Sequence, residues 1–290
     1  MAIRQVTIIG TGLIGGSVAL ALKKNGFAGR IVGCDRAVVL AQAKRMGAID
    51  IGIEDPAQAA YGSDLVVLAT PVGAILDTME RVGPLLPAGT LMTDVGSTKG
   101  EVATRAQSVF GQEAKERFLP GHPMAGKEHG GIGEADAGLF QQTVWIFTPV
   151  PGQRIEETGT APAKNNIDEW TQWVQRFGAR IVTLDAARHD LLCAWVSHLP
   201  QMLSTALAAA LYDQFGEDAE LQAIGGRALR EMTRIAGSPY SMWRDIALTN
   251  TGNIQDALLR LEQRLANLRE NLGTRELEHE FQTAHKIKKS

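Results

Sequence analysis

Two motifs in the first half of the chain carry the side chains best suited to acid–base chemistry. Residues 121–131 read GHPMAGKEHGG and place His122 among glycines and a proline, and residues 94–99 read DVGSTK and supply Ser97. A neutral imidazole can accept a proton from a hydroxyl group at neutral pH. We therefore predict His122 as a general base, with Ser97 facing the same ligand crevice, because both residues follow the ends of predicted strands. A histidine held by a backbone carbonyl and a serine that caps a helix are the structural alternatives.

A third motif offers a cation. Residues 233–236 read TRIA, and a Gly-Ser-Pro break separates them from Trp243. Because arginine binds a carboxylate through two parallel hydrogen bonds, Arg234 is a candidate ligand for an acidic substrate. A solvated arginine in a surface salt bridge is the alternative.

An uncharged segment occupies residues 191–212, which contain no Asp, Glu, Lys or Arg. Its length is sufficient to cross a bilayer. However, it contains the motif SHLPQ with His198 and Gln201, and its flanks show no Lys/Arg bias. We therefore expect a buried central helix rather than a membrane span, with both side chains held by polar partners.

The N-terminal residues match a dinucleotide-binding fingerprint. Residues 10–15 read GTGLIG, directly after the apolar run 6–10 and before an amphipathic stretch. In the GxGxxG pattern the first glycine makes a tight turn, the second lets a pyrophosphate approach the backbone, and the third lets helix and strand pack closely. Free N–H groups at the start of the helix favour the phosphates. The pattern therefore predicts a strand–turn–helix unit that binds a dinucleotide.

An aspartate indicates which dinucleotide is bound. Asp35 ends the next predicted strand, where a carboxylate accepts hydrogen bonds from both ribose hydroxyls and repels a 2′-phosphate. NAD is therefore the expected cofactor, although the neighbouring Arg36 leaves some use of NADP open. The residues expected to bind the cofactor are Gly10, Gly12, Leu13, Ile14, Gly15, Asp35, Arg36, Thr70 and Pro71.

Short apolar runs alternate with amphipathic stretches up to residue 184. Runs that are apolar almost throughout indicate a parallel sheet covered on both faces, the α/β doubly wound arrangement of a Rossmann-type fold. The predicted strands are 6–10, 30–35, 64–70, 90–94, 117–120, 144–148 and 180–184. Beyond them the pattern is helical only. We predict a dinucleotide-binding domain at 1–185 and an all-helical dimerisation and substrate domain at 186–290.

Apolar residues repeat along the last long predicted helix. Spacings of three and four residues form a stripe of coiled-coil period at Ile254, Leu258, Leu261, Leu265, Leu268 and Leu272. By itself the stripe fits one helix of a bundle or a subunit interface. Because a helical half of this size cannot easily cover both the stripe and the segment 191–212, we expect a homodimer.

Composition excludes several classes of protein. With 44% hydrophobic and 21% charged residues the chain can build both a core and a solvated surface, and a net charge of −3 gives no footprint for nucleic acid. Two cysteines, Cys34 and Cys193, cannot make a disulfide framework, so a reducing cytoplasm is expected. His122 and His129 lie in a glycine-rich stretch without a nearby cysteine, and we predict no metal site.

Together these motifs resemble those of a known family. GTGLIGGS at 10–17, DVGSTK at 94–99, HPMAGKE at 122–128, SHLP at 197–200 and TRIA at 233–236 are similar to motifs of the prephenate/arogenate dehydrogenases of tyrosine biosynthesis. The resemblance covers nearly the whole chain. It implies an N-terminal dinucleotide domain and a helical dimerisation domain. It also implies NAD-dependent oxidative decarboxylation of prephenate to 4-hydroxyphenylpyruvate, or of arogenate to tyrosine.

The same resemblance implies roles for individual residues. His122 would take the proton of the substrate's ring hydroxyl, Ser97 would orient that hydroxyl and the nicotinamide, and Arg234 would hold a substrate carboxylate. The other residues expected near the substrate are Glu128, His198, Gln201 and Trp243.

Two positions depart from the family pattern. The residue three before Arg234 is commonly Asp in that motif and is Glu231 here, and the second departure follows the SHLP motif. Many prephenate-type members carry a second histidine after the SHLP motif, where this chain has Gln201, which can donate a hydrogen bond but carries no charge. Glu128 is present as expected for a prephenate-type pocket, and we favour prephenate over arogenate. Since the chain starts at its first strand and ends near the leucine stripe, we expect no fused mutase or regulatory domain.

Two rival functions are weighed against this one. A β-hydroxyacid dehydrogenase commonly relies on a lysine in a helix of its second half, and the segment 191–212 offers none. A non-catalytic NAD-binding sensor would have no use for Ser97, His122 and Arg234 together.

Overall fold

The strands of the computed structural model follow the predicted alternation closely in the first half of the chain. The structure describes residues 3–127, 129–155 and 163–288. The strands in these ranges are β1 Gln5–Ile9, β2 Arg30–Cys34, β3 Ile51–Gly52, β4 Leu65–Leu68, β5 Leu91–Asp94, β6 Phe118–Leu119, β7 Gly121–Pro123, β8 Val144–Phe147 and β9 Arg180–Thr183.

Six of these strands form one parallel sheet in the order β3-β2-β1-β4-β5-β6. Ile8 of β1 lies opposite Gly33 of β2 on one side and Val67 of β4 on the other, so the chain crosses from one half of the sheet to the other between β3 and β4. In such sheets ligands bind in the crevice beside the carboxyl ends of the strands at this crossover. The predicted Rossmann-type fold class is confirmed.

The last two predicted strands belong to a different sheet. β7 pairs antiparallel with β8, and β8 pairs parallel with β9, in a three-stranded sheet of their own. Pro120 stands between β6 and β7 and has no N–H for a ladder, so it marks the point where the chain leaves the first sheet. β3 and β7 were not predicted, because two or three residues are too few to show a period.

Helices connect the strands and make up the C-terminal part. They are α1 Leu13–Lys24, α2 Ala37–Arg45, α3 Pro56–Ala60, α4 Val72–Val82, α5 Gly100–Phe110, α6 Ala114–Arg117, α7 Asn166–Arg176, α8 Ala186–Cys193, α9 Leu199–Phe215, α10 Ala219–Ile224, α11 Arg227–Thr233, α12 Tyr240–Thr249, α13 Thr251–Glu270 and α14 Glu276–His285. Between α8 and α9 the residues Ala194–His198 form a π-helix, and Arg234–Gly237 form a 3₁₀ turn.

Two compact units emerge from these elements. The first, here called the sheet unit, comprises Met1–Cys193 and Gly237–Thr249. The second, the helical unit, comprises Ala194–Ala236 and Asn250–Ser290. Although α12 comes late in the sequence, it belongs to the sheet unit because the buried carboxylate of Asp245 accepts a hydrogen bond from the backbone N–H of Gly73, at the start of α4 (3.0 Å).

The uncharged segment 191–212 is not the buried central helix that its composition predicts. Along α9 only Leu199, Gln201 and Ser204 are buried within the chain. Tyr212, near its end, is 64% exposed. In the part of the chain that the structure describes, no helix has the length and apolarity required to span a membrane.

Candidate active site

The turn after β1 has the shape of a dinucleotide cradle. Gly10 has φ +94°, and a Cβ there would lie 2.5 Å from the carbonyl oxygen of Ala69. A Cβ on Gly15 would collide with the carbonyl oxygen of Gly10, whereas a Cβ on Gly12 would meet nothing within 4 Å. The first and third glycines are therefore required by packing, and the second faces open space that a pyrophosphate could fill.

Asp35 lies against this turn. Its Oδ2 accepts a hydrogen bond from the N–H of Thr11 (2.9 Å), and its Oδ1 accepts one from the N–H of Arg36 (2.8 Å). The carboxylate is thus fixed beside the glycines, in the position that the sequence predicts for a ribose ligand. The exposed Arg36 follows it as the N-cap residue of α2.

The start of α1 and the loop after β4 form two further walls of the cradle. Leu13 and Ile14 open α1 without a side-chain cap, so their N–H groups point out of the helix. After β4, Thr70 has a buried Oγ1 without a hydrogen-bond partner among the described residues, and Pro71 precedes α4. A buried hydroxyl without a partner is costly unless a ligand completes it, which fits a bound dinucleotide.

A buried ion pair closes the loop after β5, and its carboxylate also binds the start of β7. Asp94 and Lys99 are both fully buried and bonded through Oδ2 and Nζ. Asp94 Oδ2 also accepts from the N–H of Gly96 (2.8 Å), and its Oδ1 accepts from the N–H of Gly121 (3.2 Å). The DVGSTK loop, which carries the half-buried Ser97, is thereby fastened beside the strand that carries the predicted base.

Ser97 is not the N-cap of α5. The helix begins at Gly100, and its N-cap residue is Lys99. The side chain that caps it comes from elsewhere in the chain: Asp190 of α8 accepts hydrogen bonds from the N–H groups of Lys99 (2.7 Å) and Gly100 (2.8 Å). Ser97 is therefore available for a role other than capping.

His122 lies on β7 rather than in a loop, and it begins a line of buried hydrogen bonds. Its Nδ1 is 2.9 Å from Nε2 of His189, and Nδ1 of His189 is 2.8 Å from Oδ1 of Asp190. His122 is 9% exposed, His189 is fully buried and Asp190 is 5% exposed. His122 is thus a buried strand residue whose Nδ1 faces another imidazole.

Burial governs the protonation of this line. Burial chiefly lowers the pKa of His189, against the opposing effect of Asp190, and keeps the imidazole neutral near pH 7. Burial also opposes ionisation of Asp190, but the hydrogen bonds from His189 and from the N–H groups of Gly100 and Lys99 outweigh it and lower the pKa of that carboxyl. Asp190 is thus a carboxylate and His189 a neutral imidazole.

The sulfur of Cys193 completes the cluster. It lies 3.5 Å from Nε2 of His189 and 4.0 Å from Nδ1 of His122, and the three atoms fall within 4.8 Å of one another. Two ligand atoms around a tetrahedral zinc are about 3.3 Å apart, whereas the two nitrogens here are at hydrogen-bonding distance. Burial raises the pKa of the Cys193 thiol to about 12, so it is protonated. The three side chains are therefore at hydrogen-bonding distances from one another.

Polar side chains of the helical unit are buried as well. Asn250 Nδ2 lies 3.2 Å from Nδ1 of His198, at the end of the π-helix. Gln201 Nε2 donates to the carbonyl oxygen of Ile235 (2.9 Å) and to Oγ1 of Thr205 (3.2 Å). Gln201 therefore holds α9 to the turn that follows Arg234.

Comparison with known proteins gives a consistent result. Family models of prephenate dehydrogenase match residues 18–182, as its nucleotide-binding domain, and residues 185–285, as its dimerization domain. The prephenate dehydrogenase of Lactococcus lactis is 30% identical over 291 residues, which cover 99% of this chain and 77% of that protein. The chain belongs to the prephenate dehydrogenase family.

Two further similarities lie within the same group of enzymes. A cyclohexadienyl dehydrogenase of Zymomonas mobilis is 30% identical over 253 residues, covering 85% of this chain and 81% of that protein. The crystal structure of prephenate dehydrogenase from Aquifex aeolicus in complex with hydroxyphenyl propionate and NAD+ has a TM-score of 0.86 at 29% identity, and covers 100% of this chain and 98% of that one. The resemblance inferred from the motifs is confirmed.

Within this family member the structure distributes the predicted substrate residues over both units. The sheet unit contains Ser97, His122 and the half-buried Trp243 of α12. The helical unit contains Arg234, in addition to His198 and Gln201 described above. Glu128 lies outside the described residues. The individual binding roles stay predictions.

Sequence reasoning missed His189 and Asp190 as members of the site. The available signal was an adjacent His-Asp pair directly before a segment without charges, where both groups need a partner if buried. Sequence reasoning also gave no role to Lys99 and Asp94 of the DVGSTK motif. A lysine five residues after an aspartate at a strand end can form an ion pair with it across the intervening loop.

Proposed function

We propose that this chain catalyses the oxidative decarboxylation of prephenate to 4-hydroxyphenylpyruvate and CO₂, with reduction of NAD to NADH. The observation that carries the proposal is the buried line of hydrogen bonds that ends at His122, in a member of the prephenate dehydrogenase family. NAD, when bound, accepts the hydride that leaves the ring carbon bearing the hydroxyl. The loss of CO₂ then leaves an aromatic ring, which drives the reaction forward.

The proposed tasks of the protein are proton removal and positioning. His122 takes the proton of the ring hydroxyl as hydride leaves, and Ser97 orients that hydroxyl. Arg234 is proposed to hold a substrate carboxylate. Its guanidinium can donate to both carboxylate oxygens at once, whereas a lysine ammonium lacks this planar fork. His198, Gln201, Trp243 and Glu128 are proposed to be close to the substrate.

The glycine turn is proposed to hold the pyrophosphate of NAD, and Asp35 its adenine-side ribose. The open space at Gly12, the N–H groups of Leu13 and Ile14, and the buried Oγ1 of Thr70 support this assignment. Because Asp35 is already fixed against the turn, a 2′-phosphate would meet its negative charge, and NAD is preferred to NADP.

We propose that the active form is a homodimer built by the helical unit. Large apolar side chains of this unit remain exposed within the chain: Tyr212, Phe215, Ile224, Met232, Leu259, Leu265, Leu272 and Phe281. Such a surface indicates a protein partner. A second copy of the chain offers the same surface with two-fold symmetry. Both cysteines are free and buried, which fits the reducing cytoplasm as the proposed compartment.

The proposal is tested by incubating the protein with NAD and either prephenate or arogenate while NADH absorbance is followed. We expect turnover with prephenate exceeding that with arogenate. In the His122→Asn variant kcat should fall by roughly 10²- to 10⁴-fold, because a general base contributes about that much, while the affinity for NAD stays near that of the wild type. His129→Asn is the matched control, since His129 is exposed nearby.

Three outcomes contradict parts of the proposal. If neither substrate yields NADH although NAD binds, the protein is the non-catalytic sensor. Higher kcat/KM with arogenate reverses the substrate preference. A His122→Asn variant that turns over within a few-fold of the wild type removes His122 as the base.

A further inference from the structure

His189 and Asp190 of α8 form a second layer behind the proposed base. The Nδ1 of His122 faces Nε2 of His189 at 2.9 Å, and the Nδ1 of His189 faces Oδ1 of Asp190 at 2.8 Å. All three side chains are buried and belong to the sheet unit. These contacts determine which atom carries the proton in the His122–His189 pair and in the His189–Asp190 pair.

The direction of the hydrogen bonds is set at Asp190. Its Oδ1 accepts from the N–H of Lys99 and its Oδ2 from the N–H of Gly100, and backbone N–H groups can only donate. An ionised carboxylate is an acceptor at every lone pair, so Nδ1 of His189 must carry the hydrogen. The α5 N-terminus therefore orients Asp190, and Asp190 orients His189.

The same direction continues to His122. A neutral imidazole with its proton on Nδ1 offers a lone pair on Nε2, so Nε2 of His189 is the acceptor for its neighbour. The N–H of His122 Nδ1 then donates to it, and the proton of neutral His122 is placed on Nδ1. Nε2 of His122 is left as the basic nitrogen.

The other groups that face His189 agree with a neutral ring. The thiol of Cys193, 3.5 Å from Nε2, is protonated and is only a weak donor. The Lys99 ammonium is bonded to Asp94, and its charge, together with burial, opposes a second positive charge on His189. Asp190 is the carboxylate in direct contact with the ring, and Asp94 has its own cation.

We propose that His189 and Asp190 are positioning residues that hold neutral His122 in the Nδ1–H tautomer and so present Nε2 as the acceptor for the proton of the substrate hydroxyl. This inference rests on the proposed function only for its catalytic consequence. The opposite tautomer would point an N–H at the substrate hydroxyl and could not accept its proton. Orientation by a buried carboxylate through an imidazole is a general means of keeping a base in its reactive form.

The tautomer is measured directly by NMR on the full-length protein with ¹⁵N-labelled histidine, without substrate. Long-range ¹H–¹⁵N correlations distinguish the Nδ1–H from the Nε2–H form, and the signals of His122 are assigned by their loss in His122→Asn. We expect the Nδ1–H form at a pH where His122 is neutral. An Nε2–H form in the wild-type protein overturns the proposal, whatever the substrate proves to be.

Two substitutions of His189 separate positioning from packing. His189→Gln places an amide oxygen near the position of Nε2, where it can still accept from His122, whereas the shorter His189→Asn side chain reaches Asp190 but not His122. In His189→Asn we expect His122 to lose its pure Nδ1–H signal. We also expect kcat to fall about 10- to 100-fold, which is less than the fall in His122→Asn, while the KM for NAD is unchanged. His189→Gln should retain most of the Nδ1–H signal of His122 and most of the wild-type kcat.

The outcomes of this comparison are separable from failure of the proposed function. If both variants lose kcat equally and both retain the tautomer of the wild type, His189 is structural only and the proposal is wrong. If the protein oxidises neither prephenate nor arogenate, the NMR result still decides the tautomer. His129→Gln, a change at an exposed histidine, controls for the loss of one imidazole signal.

Discussion

The strands of the sheet unit and the helices of the helical unit differ in how much of their apolar surface the chain itself covers. Every residue of β4 and β5 is buried, and two large apolar clusters fill the spaces on the sheet. By contrast α10, α11 and α14, all within the described residues, contain no buried residue, and the long α13 buries only Ile254 and Ala257. The chain itself therefore covers most of the apolar surface of the sheet, whereas it leaves most of the apolar surface of these helices uncovered.

The two units also differ in how they treat buried charge. In the sheet unit the buried carboxylates of Asp94, Asp190 and Asp245 each bind backbone N–H groups, and two of them also face Lys99 or His189. In the helical unit the buried polar groups described above are two neutral amides. Asn250 faces the imidazole of His198, and Gln201 donates to the carbonyl oxygen of Ile235. The buried fixed charges that could orient a base therefore lie in the sheet unit.

Among tests of this difference in buried charge, the largest effect on the free energy of unfolding is expected from a substitution of Lys99. Lys99→Met leaves Asp94 buried without its cation, which in buried pairs costs about 3–5 kcal/mol of the free energy of unfolding. The matched control is Lys23→Met, which breaks a partly exposed pair with Asp50 and should cost about 0–1 kcal/mol. Urea unfolding followed by circular dichroism measures both. Equal losses would show that the buried pair is not what holds the loop and β7 together.

A smaller effect is expected where the helical unit meets its proposed partner. Leu265 on α13 is 50% exposed in the chain, and its truncation to Ala should remove about 1 kcal/mol of apolar burial per protomer. Over two protomers the dimer dissociation constant rises roughly 30-fold. Analytical ultracentrifugation of Leu265→Ala and of Tyr61→Ala, at an 86% exposed position of the sheet unit, tests this. If both variants dissociate like the wild type, the stripe is not in the interface.

The sequence predicts the fold and the cofactor turn because their signals are local. A buried parallel strand has an apolar run, and residues 10–15 carry glycines whose spacing alone specifies the turn. These signals need only a few neighbouring residues. The strand order, by contrast, depends on pairing between residues far apart, and the separate sheet of β7, β8 and β9 leaves no mark in the periodicity of its strands.

The polar cluster could be predicted only in part for the same reason. His122 and Ser97 lie in recognisable motifs, but the side chain that faces His122 Nδ1 comes from α8, 67 residues further along the chain. Similarly, the helix that Asp190 caps begins 90 residues before it. A cap supplied by a distant carboxylate has no sequence pattern, so the sequence assigned Ser97 a capping alternative that the structure excludes.

The smallest predicted effect concerns the pH dependence of stability, and it isolates the buried His189. Burial lowers the pKa of this imidazole in the folded chain, whereas in the unfolded chain it returns to about 6.5. Well above pH 6.5 the imidazole is neutral in both states and has no effect on the pH dependence of stability. As the pH falls below about 6.5 the unfolded chain binds a proton that the folded chain does not, so stability decreases by up to about 1.4 kcal/mol per pH unit until the folded pKa is reached. Asp190 adds a separate decrease below about pH 3.9, because its pKa is also lower in the folded chain.

His189→Gln removes the titrating imidazole of His189 and leaves the other histidines in place. The variant should therefore lose less stability than the wild type between pH 7.5 and pH 5.5 in urea unfolding, whatever its absolute stability at pH 7.5. His129→Gln, a change at an exposed position, is the control and should keep the pH dependence of the wild type. A His189→Gln variant with the same pH dependence as the wild type would mean that folding does not lower the pKa of His189. At the acid end of this pH range folded His189 would then be protonated and would donate from both nitrogens, so the direction of hydrogen bonds assigned toward His122 would not hold there.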